Sequence, residues 1–216
     1  MIVTNKLEKS FNEEKVLKGI SLVINDGEFV SIMGKSGSGK STLISIIGGF
    51  LMPDSGEVLV NDKNLFECTD SELSKLRCSE LGFVFQAFKL IPTLNVIDNI
   101  LLPLTLSKND TKKNREYVNY LVKELGIENM LNKFPNQLSG GQCQRVAIVR
   151  ALSYKPSVVI LDEPTGALDT AMEKTVMELL SKINKENKTT IIQVTHSERV
   201  ASYGTRTIKI KDGKID

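Results

Sequence analysis

Residues 34 to 42 read Gly34-Lys35-Ser36-Gly37-Ser38-Gly39-Lys40-Ser41-Thr42. They fit the pattern G-x-x-x-x-G-K-[ST], following a short apolar run and opening a helical pattern, the context this motif requires. The composition suits a dense anion such as a triphosphate. Glycines let backbone N–H groups approach without a Cβ in the way, and a helix N-terminus adds positive potential. Lys40 is placed to reach the β- and γ-phosphates, and the Ser41 hydroxyl to ligate Mg²⁺. A plain flexible Gly/Ser turn has the same composition without the flanking strand and helix.

A second constellation is Val158-Val159-Ile160-Leu161-Asp162-Glu163-Pro164. Packing does not account for two acids closing an apolar strand, because an unpaired buried carboxylate is costly. A cation at the strand end removes the difficulty: Asp162 then holds Mg²⁺, directly or through water, and Glu163 serves as general base toward water. Two solvated turn acids are the alternative. The third constellation is Leu138-Ser139-Gly140-Gly141-Gln142, followed by Gln144-Arg145-Val146-Ala147. Ser139 is a favourable N-cap and Gly140-Gly141 expose N–H groups, so this is either a second anion-binding helix start or a simple cap. Two phosphate sites far apart in one chain point to a composite site.

The elements that must hold these groups can be read from periodicity. Val16 to Ile24 is β-rich and ends at Asn25-Asp26-Gly27; Phe29 to Met33, Glu57 to Val60, Gly82 to Gln86, Ser157 to Leu161 and Thr189 to Thr195 read as strands. Pro53-Asp54-Ser55-Gly56 marks a turn, and Thr207 to Ile215 a hairpin around Asp212-Gly213. Asp110 is read as an N-cap before a helix with stripe Tyr117, Leu121 and Leu125, stopped by Gly126; Met172, Val176, Leu179, Leu180 and Ile183 mark another helix. Short apolar strands alternating with amphipathic helices imply a mostly parallel sheet covered by helices, with a helical insertion over about residues 87 to 150.

The chain has 216 residues, 28 Lys plus Arg against 26 Asp plus Glu, and 41% hydrophobic residues. That length gives one large domain or two small ones at roughly 150 residues each. The near balance of charge excludes a whole-chain polycation for nucleic acid, and the composition excludes disorder. Three scattered cysteines, Cys68, Cys78 and Cys143, are no disulfide framework and suit a reducing compartment. No apolar run approaches the roughly 18 residues of a membrane span, and the polar N-terminus is not that of a signal peptide. The expectation is a cytoplasmic protein, peripheral on the inner face of the cell membrane if a partner supplies the spanning helices.

The string Leu138 to Ala147, with the other two motifs in order around it, resembles the ATP-binding cassette family, the ATPase subunits of ABC transporters; the resemblance covers essentially the whole chain. It implies an α/β fold: a P-loop NTPase core of ABC ATPase type, an N-terminal antiparallel β subdomain and a helical subdomain insertion. The chain is then one ABC ATPase domain, 1–216, with the RecA-like core and β subdomain at about 1–86 and 151–216 and the helical subdomain at about 87–150. The implied reaction is ATP hydrolysis with Mg²⁺, in a head-to-tail homodimer formed on ATP binding. ATP is sandwiched between Gly34–Thr42 of one subunit and Ser139, Gly140, Gly141 and Gln142 of the other. Carried over residue by residue, Gln86 matches the glutamine that senses Mg²⁺ and the attacking water. His196, the only histidine, matches the switch histidine at the γ-phosphate. Asp169 matches a residue touching the partner subunit, and Phe11 stands where relatives stack an aromatic on adenine. A core Phe on an N-terminal strand is the alternative for Phe11. Cys143 departs from the glutamine many relatives carry and reads as a small buried residue.

Within the family, Gly82 to Leu94, Asn99 to Leu104 and Ser71 to Arg77 resemble the macrolide-export, lipoprotein-release and antimicrobial-peptide-resistance ATPases. The partner this implies is a permease with a large extracytoplasmic domain, and the output is export or resistance. A cell-division-type ATPase, regulating a membrane partner mechanically without transport, stays open. Phe88, Leu90, Ile91 and Leu94 suit either a groove for a permease coupling helix or the core of the helical insertion.

Overall fold

The computed structural model describes residues 1–216. Two sheets form it. Strands β1 (Ile2–Phe11), β2 (Glu14–Ile24), β4 (Ser55–Val60) and β5 (Lys63–Asn64) make an antiparallel sheet in the order β2-β1-β4-β5. Strands β3 (Phe29–Met33), β6 (Leu81–Val84), β7 (Val158–Asp162), β8 (Thr190–Val194), β9 (Arg206–Lys211) and β10 (Lys214–Ile215) form a second sheet in the order β10-β9-β3-β8-β7-β6. Every pair in it is parallel except β10 with β9.

Alternation along the parallel strands divides the core in two. Val158 and Ile160 of β7, with Val30, Ile32, Ile192 and Val194, join a cluster that includes Leu43, Ile44, Ile46 and Ile47 of helix α1 (Lys40–Ile47) and the inner face of the antiparallel sheet. Those four α1 side chains are fully buried. Each contributes on the order of 1.5–3 kcal/mol, which moors the start of α1 to the sheet. Val159 and Leu161 face the other way. There they meet helices α3 (Val96–Leu106), α4 (Lys112–Glu124), α5 (Gly140–Leu152) and α6 (Thr170–Asn187). The helical segment between β6 and β7 therefore has no core of its own; it shares one with the sheet.

Two elements differ from the sequence reading. Helix α2 (Asp70–Ser79) fully buries no residue, and its apolar face is only Leu73 and Leu76, partly buried against the core; it starts at a capping box in which Thr69 and Glu72 satisfy each other's backbone N–H. Helix α4 is capped by Thr111, not Asp110: Thr111 Oγ1 accepts from Asn114 N–H at 3.3 Å, while the Asp110 carboxylate takes a two-pronged ion pair from Arg115 at 2.7 and 2.6 Å. The buried face of α4 is Val118, Leu121 and Val122, with Leu125 following; Tyr117 lies half-buried at its margin, where burial pushes its phenol up to about 12.

Candidate functional site

Parallel strands present their carboxyl ends on one edge, and in open α/β sheets ligands gather there. Four neighbouring strands deliver the chemistry. β3 runs into Gly34–Gly39 and α1, β6 leads to Gln86, β7 ends in Asp162 and Glu163, and β8 leads through Thr195 to His196. A cavity of about 740 Å³ lies there, lined among others by Gly34, Ser36, Gly37, Gly39, Lys40, Ser41, Thr42, Gln86, Asp162, Glu163 and His196. Phe11, 46% exposed at the end of β1, is on its rim and not in the core.

Helix α1 begins without a side-chain cap, at Gly39 with φ of 100°. A Cβ on Gly39 would stand 2.8 Å from Leu17 Cδ2 and 3.0 Å from the Val16 carbonyl, so both backbone angle and space require glycine. The buried Lys40 ammonium donates back to the carbonyls of Gly34 and Lys35 at 2.9 and 2.8 Å. Alternation along β7 turns Asp162 toward α1, where its Oδ1 accepts from Ser41 Oγ at 3.1 Å. Burial pushes the Asp162 carboxyl up, against the lowering effect of the Ser41 hydrogen bond; the nearby Glu163 adds to the rise and Lys40 opposes it. No cluster of three or more His, Cys, Asp and Glu is placed to hold a metal ion. One buried carboxylate with one hydroxyl is instead the hard-oxygen donor set of a Mg²⁺ that keeps waters and phosphate oxygens as its remaining ligands. The residues present fit that ion, which there would neutralise phosphate charge.

Glu163 follows with φ of 50°, a left-handed angle costing a residue with a side chain on the order of 1–3 kcal/mol. Its N–H donates to the Val194 carbonyl at 3.0 Å, tying β7's end to β8's. Its Oε1 lies 3.0 Å from Nδ1 of the exposed His196. The loop bearing His196 is held from behind. Gln193 Nε2 donates to Ser31 Oγ and to the Val200 carbonyl, both at 2.9 Å, and Ser31 Oγ donates to the Ala201 carbonyl at 2.9 Å. This buried network fixes the short helix α7 (Glu198–Ala201) to β3 and β8.

The remaining expected residues stand elsewhere. Lys35 and Ser38 line a second cavity, of about 690 Å³, together with Lys209 and Lys211. Ser139, Gly140, Gly141 and Gln142 line neither cavity. They form the start of α5, where Ser139 Oγ accepts from Gln142 N–H at 3.3 Å and Gln142 Oε1 from Ser139 N–H at 2.8 Å. Ser139 and Gly140 are exposed. A Cβ on Gly141 would meet the Ala167 carbonyl at 2.8 Å, so α5 abuts the loop that follows Glu163. Asp169 is exposed and caps α6 through Met172 N–H at 2.9 Å. Cys143 is buried, with its Sγ 3.8 Å from the Pro135 carbonyl.

Sequence reasoning missed Glu14, Val16 and Gln144 on the cavity wall. Gln144 is buried, and its Nε2 has no hydrogen-bond partner. It sat inside the string already quoted, but only the folded chain turns it inward. Phe88 and Leu90 pack on the helical core, which favours the core reading over the groove. An aromatic groove of about 190 Å³ lies nearby instead, lined by Phe50, Phe83, Phe85, Lys89, Pro103 and Arg150.

Comparison with known proteins gives concordant results. Residues 17–166 match the family model described as ABC transporter. The ABC transporter ATP-binding protein YxdL of Bacillus subtilis is 46% identical over 98% of this chain and 82% of its own length. The lipoprotein-releasing system ATP-binding protein LolD of Aquifex aeolicus is 45% identical, over 97% of this chain and 93% of its own. The bacitracin export ATP-binding protein BceA of Halalkalibacterium halodurans is 42% identical, over 94% and 81%. Among solved structures, a dimeric post-hydrolysis state of the ATP-binding cassette MJ0796 with ADP and Pi superposes with a TM-score of 0.93 at 42% identity, covering 100% of this chain and 97% of that one.

Proposed function

The chain belongs to the ABC transporter ATP-binding family and is an ATPase of that type, and from this premise we propose that two copies pair head to tail around two MgATP and drive a membrane permease that exports, or confers resistance to, antimicrobial peptides, macrolides or lipoproteins. One observation carries the pairing. The cavity collects Lys40, Ser41, Gln86, Asp162, Glu163 and His196, yet Ser139 to Gln142 lie outside it with their glycine-bearing helix start open to solvent. A second copy is what brings such a helix start to the first copy's phosphates.

In this reading Phe11 stacks on adenine. Gly34 to Gly39 wrap the phosphates, with Lys35, Ser36 and Ser38 in the same loop and Thr42 on the wall. Lys40 leaves its two carbonyls for the β- and γ-phosphates. Ser41, Asp162 and Gln86 would hold Mg²⁺. Glu163 takes a proton from water aligned in line with the γ-phosphorus, and His196, already paired with Glu163, contacts the γ-phosphate. Asp169 faces the partner. LolD and BceA, named for lipoprotein release and bacitracin export, support the branch. No helix is long and apolar enough to cross a membrane. In this proposal the chain works on the cytoplasmic face, where the permease holds it. The Phe50–Phe83–Phe85 groove is the face for a permease helix, because its Lys89 belongs to the same loop as Gln86.

The test is Glu163→Gln. Turnover is expected to fall at least ~100-fold, the range for loss of a positioned base, while ATP binding persists and the chain elutes as a dimer with MgATP in light scattering. Parental turnover would remove Glu163 from the mechanism; a monomer at saturating MgATP would sink the head-to-tail pairing.

A further inference from the structure

We infer that Arg150 is a positioning residue for hydrolysis: its guanidinium grips the carbonyls of Phe88 and Lys89, and through that loop it fixes where Gln86 stands in the cavity. This rests on the role proposed above for Gln86.

Arg150 sits in the last turn of α5. Its Nη1 donates to the Lys89 carbonyl at 2.6 Å and its Nη2 to the Phe88 carbonyl at 2.7 Å. It has no carboxylate in ion-pair range, and burial holds its guanidinium below the ordinary value. A desolvated cation without a counter-charge needs strong acceptors, and these two carbonyls are the ones it has.

The loop in turn needs the cation. Phe88 and Lys89 are successive residues at φ of 59° and 49°, a left-handed pair in which neither is glycine. Such a conformation persists only where its surroundings over-determine it. The local backbone supplies Phe88 N–H to Phe85 O at 2.9 Å and Lys89 N–H to Ala87 O at 2.6 Å. The following segment is clamped by the buried Asn99, whose side chain accepts from Ile91 N–H and donates to the carbonyls of Ile91, Leu94 and Asn95. Upstream, the loop is anchored where β6 ends at Val84. Between these anchors the planar fork of Arg150 is the side-chain hold on the two strained residues. Gln86 and Phe88 line the nucleotide cavity, whereas Phe85, Lys89 and Arg150 line the aromatic groove. The grip therefore lies at the partition between the two. It is also in the last turn of the helix that Ser139 caps, about 16 Å from that cap along the helix axis.

The experiment is ATPase kinetics of the full chain with Arg150→Met, Arg150→Lys, Gln86→Ala and the Arg150→Met/Gln86→Ala pair. Arg150→Met is expected to lower kcat about tenfold, below the roughly 100-fold that a full 1 Å misplacement can cost, because the loop keeps its other anchors. KM and binding of a fluorescent ATP analogue should stay within about twofold, because Gly34 to Thr42 are untouched. Arg150→Lys should also lose kcat, since one ammonium does not reproduce a planar fork on two carbonyls. In the Gln86→Ala background, Arg150→Met should cost nothing further. A multiplicative loss in the double variant, or parental kcat in Arg150→Met, overturns the role of Arg150 alone. Parental kcat in Gln86→Ala overturns the role of Gln86 and takes this inference with it. Should Arg150→Met fail to fold, the same cycle with Arg150→Lys, which keeps the charge, decides by the same criterion.

Discussion

Helices α1 and α5 both open on glycine-rich sequence that an anion could use, and they are built in opposite ways. The start of α1 has no side-chain cap, is pinned by a buried apolar face, and looks into a cavity. The start of α5 closes on itself through the Ser139–Gln142 box and is open to solvent. The first is therefore nearly set before anything binds: the N–H groups of Lys40, Ser41 and Thr42 have no acceptor, and only the Lys40 ammonium and the Ser41 hydroxyl must change partners. The second spends only the Ser139 and Gln142 N–H groups within its own box, while the N–H groups of Gly140 and Gly141 and the Ser139 O–H find no acceptor in this chain. Under the proposed pairing, this difference would let one chain hold nucleotide through α1 and still depend on a second copy for turnover.

The largest effect expected from that comparison is at α1. Lys40→Ala should weaken ATP binding to the isolated chain on the order of 100-fold, since a charge-assisted contact to phosphate is worth roughly 3 kcal/mol. Equilibrium titration with a fluorescent ATP analogue reads it. Binding at parental strength would mean that the lysine stays on the Gly34 and Lys35 carbonyls with nucleotide present, and the contrast between the helix starts would lose its basis. Ser139→Ala makes the reciprocal claim. Binding by the monomer should be unchanged, dimerisation of the Glu163→Gln form and turnover of the parental form should fall about tenfold, and the fold should lose about 1 kcal/mol from the cap. Weaker binding to the monomer would place Ser139 in the same site as Lys40 and erase the distinction.

How far these features were legible follows from the range of the forces involved. The α1 start, the acids ending β7 and the cap at Ser139 depend on bonds within a few residues, and their types and spacing stand in the sequence. The parallel sheet was legible through its short apolar strands and the helices between them. Helix α2 was not, because only Leu73 and Leu76 on it reach the core, too short a stripe to mark a helix; its clearest signal is the Thr69–Glu72 spacing. Asp110 fits a cap by type and place, and Arg115 five residues on decides otherwise. Gln144, Glu14 and Arg150 acquire their places from contacts with loops distant in sequence, which no local pattern announces. The aromatic groove was missed for the same reason, since Phe50 and Phe83 meet at 5.0 Å only once α1 and β6 are side by side.

The smallest effect separates the two helix starts by pH. Asp162, against α1, is a buried carboxyl held above the ordinary aspartate range, chiefly by burial. The α5 start carries no acid in its first turn. For an acid raised in the native state, the folded protein prefers the protonated form. Its contribution is therefore neutral below the unfolded value and grows unfavourable as pH rises from there through the folded value. Asp162→Asn removes that loss while leaving an oxygen for Ser41. Without nucleotide or Mg²⁺, the variant should melt a few degrees above the parent at neutral pH, and the gap should close as pH falls through the ordinary aspartate range. Ser139→Ala should lower the melting temperature by an amount that does not vary over the same interval, because no titrating group takes part in that cap. A gap for Asp162→Asn that is flat with pH would mean the carboxylate is already well compensated by Ser41 and Lys40, and the α1 start would then hold no unmet charge for a divalent cation to relieve.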